Sequence, residues 1–238
     1  MRPGFSALSA ISILACANVV CAAQAPLAVY YSFDKTASPA ILSVMRSELT
    51  GILAPSGMSA VWVSSEARQP GQDFAGLVVF RFHGRCGFDG VADKRDTDVS
   101  GKPLAETDTI DGHVLPYATV NCDTVRGLIA PVSGSMPPDW KTQMLGRALA
   151  RVTAHEIYHM LAGVRTHDDR GGIFQASHSR KDLTQAVFVF AAPENNWLHA
   201  WVERQTREQV AQVVPVSAVA SADEPAFSEP DSAVFAGR

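Results

Sequence analysis

A long amphipathic helical pattern between Pro138 and Gly163 constrains this chain more than any other feature of its sequence. Prolines followed by an acidic residue at its start, and a glycine at its end, are typical of helix boundaries. The apolar residues recur three to four positions apart and form one broad stripe, at Trp140, Met144, Leu145, Ala148, Leu149, Val152, Ile157, Met160 and Leu161. The sequence therefore predicts a central helix, with the rest of a domain packed on its apolar side.

The other predicted elements indicate an α+β fold, in which a mixed β-sheet packs on this helix. Alternating, β-prone residues predict strands at Leu27–Phe33, Ser59–Ser64, Phe74–Phe82 and His113–Asn121. Capping residues and helical spacing predict helices from Pro39 to Pro55, as a turn between Asp123 and Pro131, from Ser179 to Phe190 and from Trp197 to Val213. The polar segment from Asp89 to Asp111 is predicted to be a surface loop.

The N-terminus has the layout of a secretory signal peptide. Arg2 is the only charged residue before Asp34, and the apolar stretch from Phe5 to Val20 is too short to span a bilayer comfortably. Small residues follow it, so we expect cleavage after Ala23, with cleavage two residues later as the alternative. The chain then divides into a signal peptide (1–23), a folded domain (24–213) and an Ala/Ser/Pro-rich disordered tail (214–238). This predicts a secreted or periplasmic protein, with an uncleaved membrane anchor as the alternative.

The four cysteines divide between two regions. Cys16 and Cys21 fall in the predicted signal peptide, which leaves Cys86 and Cys122 in the domain. An even pair in an exported chain predicts one disulfide, and two unrelated buried thiols are the alternative. The sequence has no C-x-x-C spacing, so these cysteines do not indicate a zinc knuckle.

Four of the seven histidines lie between positions 155 and 178, and two of them belong to the sequence His155-Glu156-Ile157-Tyr158-His159 inside the central helix. Residues four apart on a helix differ by about 40° in direction and about 6 Å in rise, so two imidazoles at this H-E-x-x-H spacing can bind one metal ion. Zinc suits such a site, because it accepts neutral imidazole and lowers the pKa of a bound water to about 7. Glu156 is the predicted general base, which takes a proton from that water and passes it to a leaving amine.

With Gly163 and His167, this stretch resembles a spread version of the metzincin motif of zinc metallopeptidases, H-E-x-x-H-x-x-G-x-x-H. Here the glycine falls one residue later, and the third histidine two residues later, than in that pattern. The segment Gly171-Gly172-Ile173-Phe174 also resembles one found in secreted bacterial metalloproteases that share the longer spacing. Metzincins have a methionine turn beneath the zinc, and Phe174 stands where this segment would have methionine. The resemblance covers residues 155–174 and implies a metzincin-like zincin fold with peptidase activity.

Three residues are candidates for a third zinc ligand. His167 follows Gly163, which can reverse the chain, and the short arm between them is long enough to bring His167 back to the ion. Glu194 would have to come from a later helix, and His178 lies beside a predicted helix cap. We predict His155, His159 and His167 as the metal ligands. Asp168 is a candidate hydrogen-bond partner of a ligand imidazole, with a solvated turn as the alternative.

Together these observations predict a secreted zinc-dependent metallopeptidase, which hydrolyses peptide bonds with a zinc-bound water and Glu156 as the general base. We expect a monomer that acts on a peptide or protein substrate and has no membrane span after signal removal. The net charge of −4 argues against a nucleic-acid partner. The alternatives are a secreted, non-catalytic binding or scaffold protein that holds zinc structurally, and another zinc hydrolase of the deacylase type.

Overall fold

The computed structural model describes residues 25–67, 71–88, 101–133, 136–167 and 171–213. The predicted signal peptide, the predicted tail and Asp168 lie outside the described residues. In chain order the elements are β1 (Leu27–Phe33), α1 (Pro39–Leu53), a 3-10 turn (Ala54–Ser56), β2 (Ala60–Ser64), β3 (Gly76–His83), β4 (Ala105–Ile110), β5 (His113–Asn121), α2 (Cys122–Ser133), α3 (Pro138–Ala162), α4 (Arg180–Thr184) and α5 (Ala192–Val213).

The strands form one mixed sheet in the order β2-β1-β3-β5-β4. The pairs β1–β2, β1–β3 and β3–β5 are parallel, whereas β4 runs antiparallel to β5 at the edge. The arrangement of a five-stranded mixed sheet with helices agrees with the predicted α+β class. It also leaves β4 with a partner on one side only among the described strands.

The core lies between this sheet and two closely packed helices. Alternate residues of β3, Val78, Phe80 and Phe82, are fully buried, as expected for a strand with one face on the core. Helix α1 buries Ile41, Met45, Leu49, Ile52 and Leu53 on one side, at helical spacing. Gly146 allows α1 to approach α3, because a Cβ at this position would lie only 2.7 Å from Cβ of Val44. Helix α3 also contacts β3, β4 and β5, so it is the central helix that the sequence predicts.

The predicted loop from Asp89 to Asp111 is wrong in its last part, where β4 forms. Residues 89–100 lie outside the described part of the chain, but Ala105–Ile110 pairs with β5 across a two-residue turn. Asp111 and Gly112, with φ of 49° and 82°, supply the two positive φ angles that a type I′ hairpin turn requires. Because β4 is an exposed edge strand, its residues are mostly polar, and polarity alone suggests a loop.

The predicted helix from Ser179 to Phe190 is wrong beyond its first turn. Ser179 and Asp182 form the expected capping box, but α4 ends at Thr184. The chain is then extended, with buried Phe188 and Phe190 alternating with exposed residues. A period of two is typical of an extended segment with one buried side, which explains the end of the helix. Helix α2, by contrast, extends two residues past Pro131, which lies within its last turn.

A disulfide joins Cys86, just after β3, to Cys122, the first residue of α2, and this confirms the predicted pairing. The two Cα atoms are 4.9 Å apart. The bridge holds α2 against the end of the sheet next to β5. None of the helices in the described ranges has both the length and the apolar character needed to cross a membrane.

Candidate metal centre

Three histidine side chains converge at the C-terminal end of α3. His155 and His159 lie one turn apart on the helix, and Gly163 ends the helix in the left-handed conformation, with φ of 64°. The chain then reverses, so that Nε2 of His167 lies 3.0 Å from Nε2 of His155 and 3.1 Å from Nε2 of His159. Nε2 of His155 and Nε2 of His159 are 3.1 Å apart. In the described part of the chain this is the group of side chains whose donor atoms could hold a metal ion.

Main-chain carbonyls fix the tautomers of the two helical histidines. Nδ1 of His155 lies 2.7 Å from the carbonyl oxygen of Ile173, and Nδ1 of His159 lies 2.6 Å from that of Val164. A carbonyl oxygen can only accept a hydrogen bond, so each Nδ1 must donate its proton to it. In a neutral imidazole Nε2 is then unprotonated and carries a lone pair. Two lone pairs therefore face each other at 3.1 Å, which is repulsive unless a cation or a proton lies between them.

The spacing of the three nitrogens fits a zinc ion. The three Nε2 atoms form a triangle with sides of 3.0–3.1 Å, so His155, His159 and His167 would be able to hold one zinc ion together. The donor set of three imidazoles is also one that zinc accepts in catalytic sites.

The environment keeps these histidines neutral. Burial lowers the pKa of His155 to about 3, and burial is also the largest cause of the lowered pKa values of His159 and His167. Neutral imidazole is the form that binds a metal, because the coordinating nitrogen must not carry a proton. At neutral pH the three side chains are therefore ready to act as ligands.

Phe174 forms an apolar floor under the three histidines. It is 5% exposed, and its ring centroid lies 5.4 Å from that of His155, 4.8 Å from that of His159 and 5.6 Å from that of His167. The ring of Tyr158 also packs on Phe174, at a centroid distance of 4.3 Å. The residue that stands in place of the methionine of the resembled segment thus contacts all three imidazoles.

The segment that carries Phe174 is held by close backbone packing, and a buried charge network lies on α3 one turn before His155. The guanidinium of Arg151, which is fully buried one turn before His155, binds the carboxylate of Glu48 at 2.7 Å and donates to the carbonyl of Asp182 at 2.7 Å. The amide of Ile173 donates to the carbonyl of Val189 at 3.0 Å. The hydrogen bond between Ile173 and Val189 restrains the residue whose carbonyl group accepts from His155.

Glu156 lies beside the three histidines and is 5% exposed. Its Oε2 accepts a hydrogen bond of 2.5 Å from the hydroxyl of Thr107 on β4. Burial raises the pKa of Glu156 to about 7, the nearby Glu106 carboxylate acts in the same direction, and the Thr107 hydrogen bond opposes them. A carboxyl group with a pKa near neutrality can both accept and release a proton at physiological pH.

The other two candidate ligands lie outside the histidine triangle. Nε2 of His178 is 3.3 Å from Nδ1 of His155, so it contacts the side of that ring opposite to the converging Nε2 atoms. Glu194 lies in the first turn of α5 and is 3% exposed. Neither belongs to the group whose donor atoms converge.

A cavity of about 690 Å³ opens over the histidines and Glu156. One wall is the segment 101–107 with Thr109 of β4, and the others come from α2, α3, the arm around Arg165 and residues 176–178. Residues of the edge strand β4 therefore line the cavity that contains the candidate metal centre.

Comparison with known proteins gives no relative: no protein-family profile, no curated protein and no solved structure matches this chain. The metzincin resemblance thus remains a prediction that depends on the motif alone. Sequence reasoning overlooked Thr107, because the polar segment around it was predicted to be a loop. The signal that could have found it is Thr107-Asp108-Thr109-Ile110 before Asp111-Gly112, which is an alternating run followed by a hairpin turn pair.

Proposed function

We propose that this protein is an exported zinc-dependent metallopeptidase, with His155, His159 and His167 as metal ligands and Glu156 as the general base. The observation that carries the proposal is the convergence of three Nε2 atoms within 3.1 Å of one another. In His155 and His159, a main-chain carbonyl group accepts from Nδ1, so that Nε2 is the unprotonated nitrogen. A buried carboxylate next to that triangle supplies the second group that hydrolysis needs.

Zinc is the metal we propose. Three neutral imidazoles on a rigid helix end suit its coordination, and an open fourth position is typical of its catalytic sites. When bound, zinc lowers the pKa of a coordinated water to about 7 and polarises a carbonyl group. Burial and the Phe174 floor exclude bulk water from the back of the site, which strengthens the electrostatic interactions there.

Glu156 moves the proton in the proposed reaction. Its Oε2 is bound by Thr107, so Oε1 is the oxygen that takes a proton from the attacking water. The same carboxyl group then delivers that proton to the departing amide nitrogen, which leaves as an amine. A purely structural zinc site has no need for a buried carboxylate in this position, and this favours catalysis over the scaffold alternative.

A peptide in extended conformation is the proposed substrate. Residues of β4 line the cavity, and β4 pairs only with β5 among the described strands. An extended peptide can add to such an edge through main-chain hydrogen bonds, which depend little on its sequence. Its scissile bond would then pass over the histidine triangle.

Metal analysis of purified variants tests the ligand set. His167→Ala should lose zinc after dialysis, whereas His178→Ala and Glu194→Ala should keep one zinc per chain, because neither residue belongs to the triangle. Full zinc occupancy in His167→Ala, with loss in either of the other two variants, would refute the assignment.

A peptide-library cleavage assay with the zinc-loaded protein tests the activity. Glu156→Gln should keep its zinc while cleavage falls by about 10²–10⁴-fold, since the amide cannot act as a base. Cleavage at the wild-type rate in this variant would exclude the mechanism. A wild-type protein that binds zinc and cleaves nothing in the library would favour the non-catalytic alternative.

A further inference from the structure

Within the described part of the chain, the carboxylate of Glu156 accepts a hydrogen bond from the hydroxyl of Thr107, which lies on a different element. Thr107 lies on the edge strand β4, 49 residues before Glu156 on α3, and donates to Oε2 at 2.5 Å. Hydrogen bonds from a neutral hydroxyl to an ionised carboxylate are short and stronger than those between neutral groups. The contact ties the edge strand directly to the proposed base.

An irregularity in the hairpin lies next to this contact. Thr107 pairs with Ala118 in the regular register, but the next pair along β4 is Thr109 with Val114, so one residue of β4 faces three of β5. Pro116, which has no backbone N–H to donate, lies among those three residues. Bulges of this kind bend a strand and re-aim side chains beside functional sites. Thr107 is the last residue of β4 in regular register before this irregularity.

The carboxylate needs such a restraint. A glutamate side chain has three rotatable bonds, and Glu156 borders a cavity of about 690 Å³ into which it could swing. Proton transfer requires the base within hydrogen-bond reach of the water, at about 2.6–3.2 Å. A donor that holds one oxygen fixes the direction in which the other oxygen points.

We propose that Thr107 is a positioning residue for the reaction: its hydroxyl holds Oε2 of Glu156 so that Oε1 faces the attacking water. This proposal rests on the proposed peptidase function and extends it to the edge strand. A peptide that adds to β4 pairs with the same strand that orients the base. Substrate binding and base alignment therefore share one strand.

The test compares Thr107→Val with Thr107→Ser in the zinc-loaded protein. Valine keeps the shape and the β-propensity of threonine but removes the hydroxyl, whereas serine keeps the hydroxyl. Thr107→Val should lower kcat by about 10- to 100-fold, in the range typical for partners that orient catalytic groups, with KM changed less than about threefold. Thr107→Ser should restore most of the lost kcat. Thr119→Val is the matched control, because Thr119 lies on the neighbouring strand β5 and does not line the cavity, and it should retain wild-type kcat.

A second readout is independent of activity. In metal-free protein labelled with carbon-13 glutamate, the carboxyl resonance of Glu156 is assigned by its absence in Glu156→Gln. It should shift in Thr107→Val and stay in place in Thr107→Ser and Thr119→Val. Thr107→Ala serves as the second hydroxyl-free variant if Thr107→Val does not fold.

The outcomes separate the two proposals. Normal kcat and an unshifted resonance in the hydroxyl-free variants, with Glu156→Gln inactive, would overturn the role of Thr107 and leave the peptidase proposal intact. If the resonance shifts in Thr107→Val but the zinc-loaded wild-type protein cleaves no peptide, the peptidase proposal is overturned, and with it the role of Thr107 in catalysis. A fall in kcat/KM in Thr107→Val that Thr107→Ser does not restore would indicate a packing role for Thr107, which also overturns the proposal.

Discussion

Gly171 and Gly172 provide a matched pair of substitutions that tests how the segment behind His155 is held. Both have positive φ, 81° and 80°, so alanine at either position has the same backbone strain. Their surroundings differ. A Cβ on Gly171 would meet nothing within 4 Å, whereas a Cβ on Gly172 would lie 2.8 Å from the carbonyl oxygen of Val189 and 3.0 Å from the amide nitrogen of Ala191.

The expected magnitudes follow from this difference. The left-handed conformation costs a non-glycine residue about 1–2 kcal/mol, and Gly171→Ala should lose only this amount of unfolding free energy. Gly172→Ala should lose about 1–3 kcal/mol more, because rigid backbone atoms must move to admit the methyl group. The movement also displaces Ile173, whose carbonyl accepts from Nδ1 of His155 at 2.7 Å. Loss of such a ligand partner lowers metal affinity by about 10- to 100-fold.

Urea unfolding of the metal-free proteins measures the first effect, and zinc titration against a competing chelator measures the second. We expect the zinc affinity of Gly171→Ala to lie within about threefold of that of the wild type, because the substitution does not displace the Ile173 carbonyl group that accepts from His155. Equal stabilities and equal zinc affinities in the two variants would refute the argument that the packing of Gly172 on residues 189–191 positions His155.

Further substitutions test the core and the covalent link. Arg151→Met should lower the unfolding free energy by about 1.5–3 kcal/mol, because Glu48 loses its buried partner and keeps only the longer ion pair with Arg147. Glu48→Gln in the same chain should recover part of this loss, and equal losses in the single and double variants would contradict the argument. Serine at both Cys86 and Cys122 should lower stability by about 2–4 kcal/mol, and a non-reducing peptide map that recovers both as free thiols would contradict the disulfide. Phe174→Ala should lower stability by about 3–5 kcal/mol, whereas Phe174→Met should keep both the fold and zinc binding; loss of zinc in the methionine variant would show that the aromatic floor is specifically required.

Much of the fold could be predicted from local patterns in the sequence. Strand β1 and the start of α1 occur at the predicted residues, because alternation and a Ser-Pro cap are determined by neighbouring residues. The left-handed turn at Gly163 and the return of His167 to the helix could also be predicted, since a helix end and a short arm leave few paths. These features depend on interactions within a few residues.

The parts that could not be predicted depend on distant partners. The polar strand β4 is stable because β5 supplies its hydrogen bonds, and no pattern within Ala105–Ile110 indicates that such a partner strand exists. The early end of α4 is similar, since burial of Phe188 and Phe190 depends on packing against the rest of the chain. The contact between Thr107 and Glu156 combines both difficulties, because it joins an unrecognised strand to a helix 49 residues away.

The hydrogen bonds that orient His155 and His159 both end on the main chain, at Ile173 and Val164. A carbonyl group is present whatever side chain a residue carries, so the orientation of these ligands does not depend on a particular polar residue. It depends on the path of the backbone, which glycines with positive φ at positions 163 and 172 determine. A search for an acidic partner of the histidines would therefore overlook this centre. A search for the spacing of its histidines and glycines would find it.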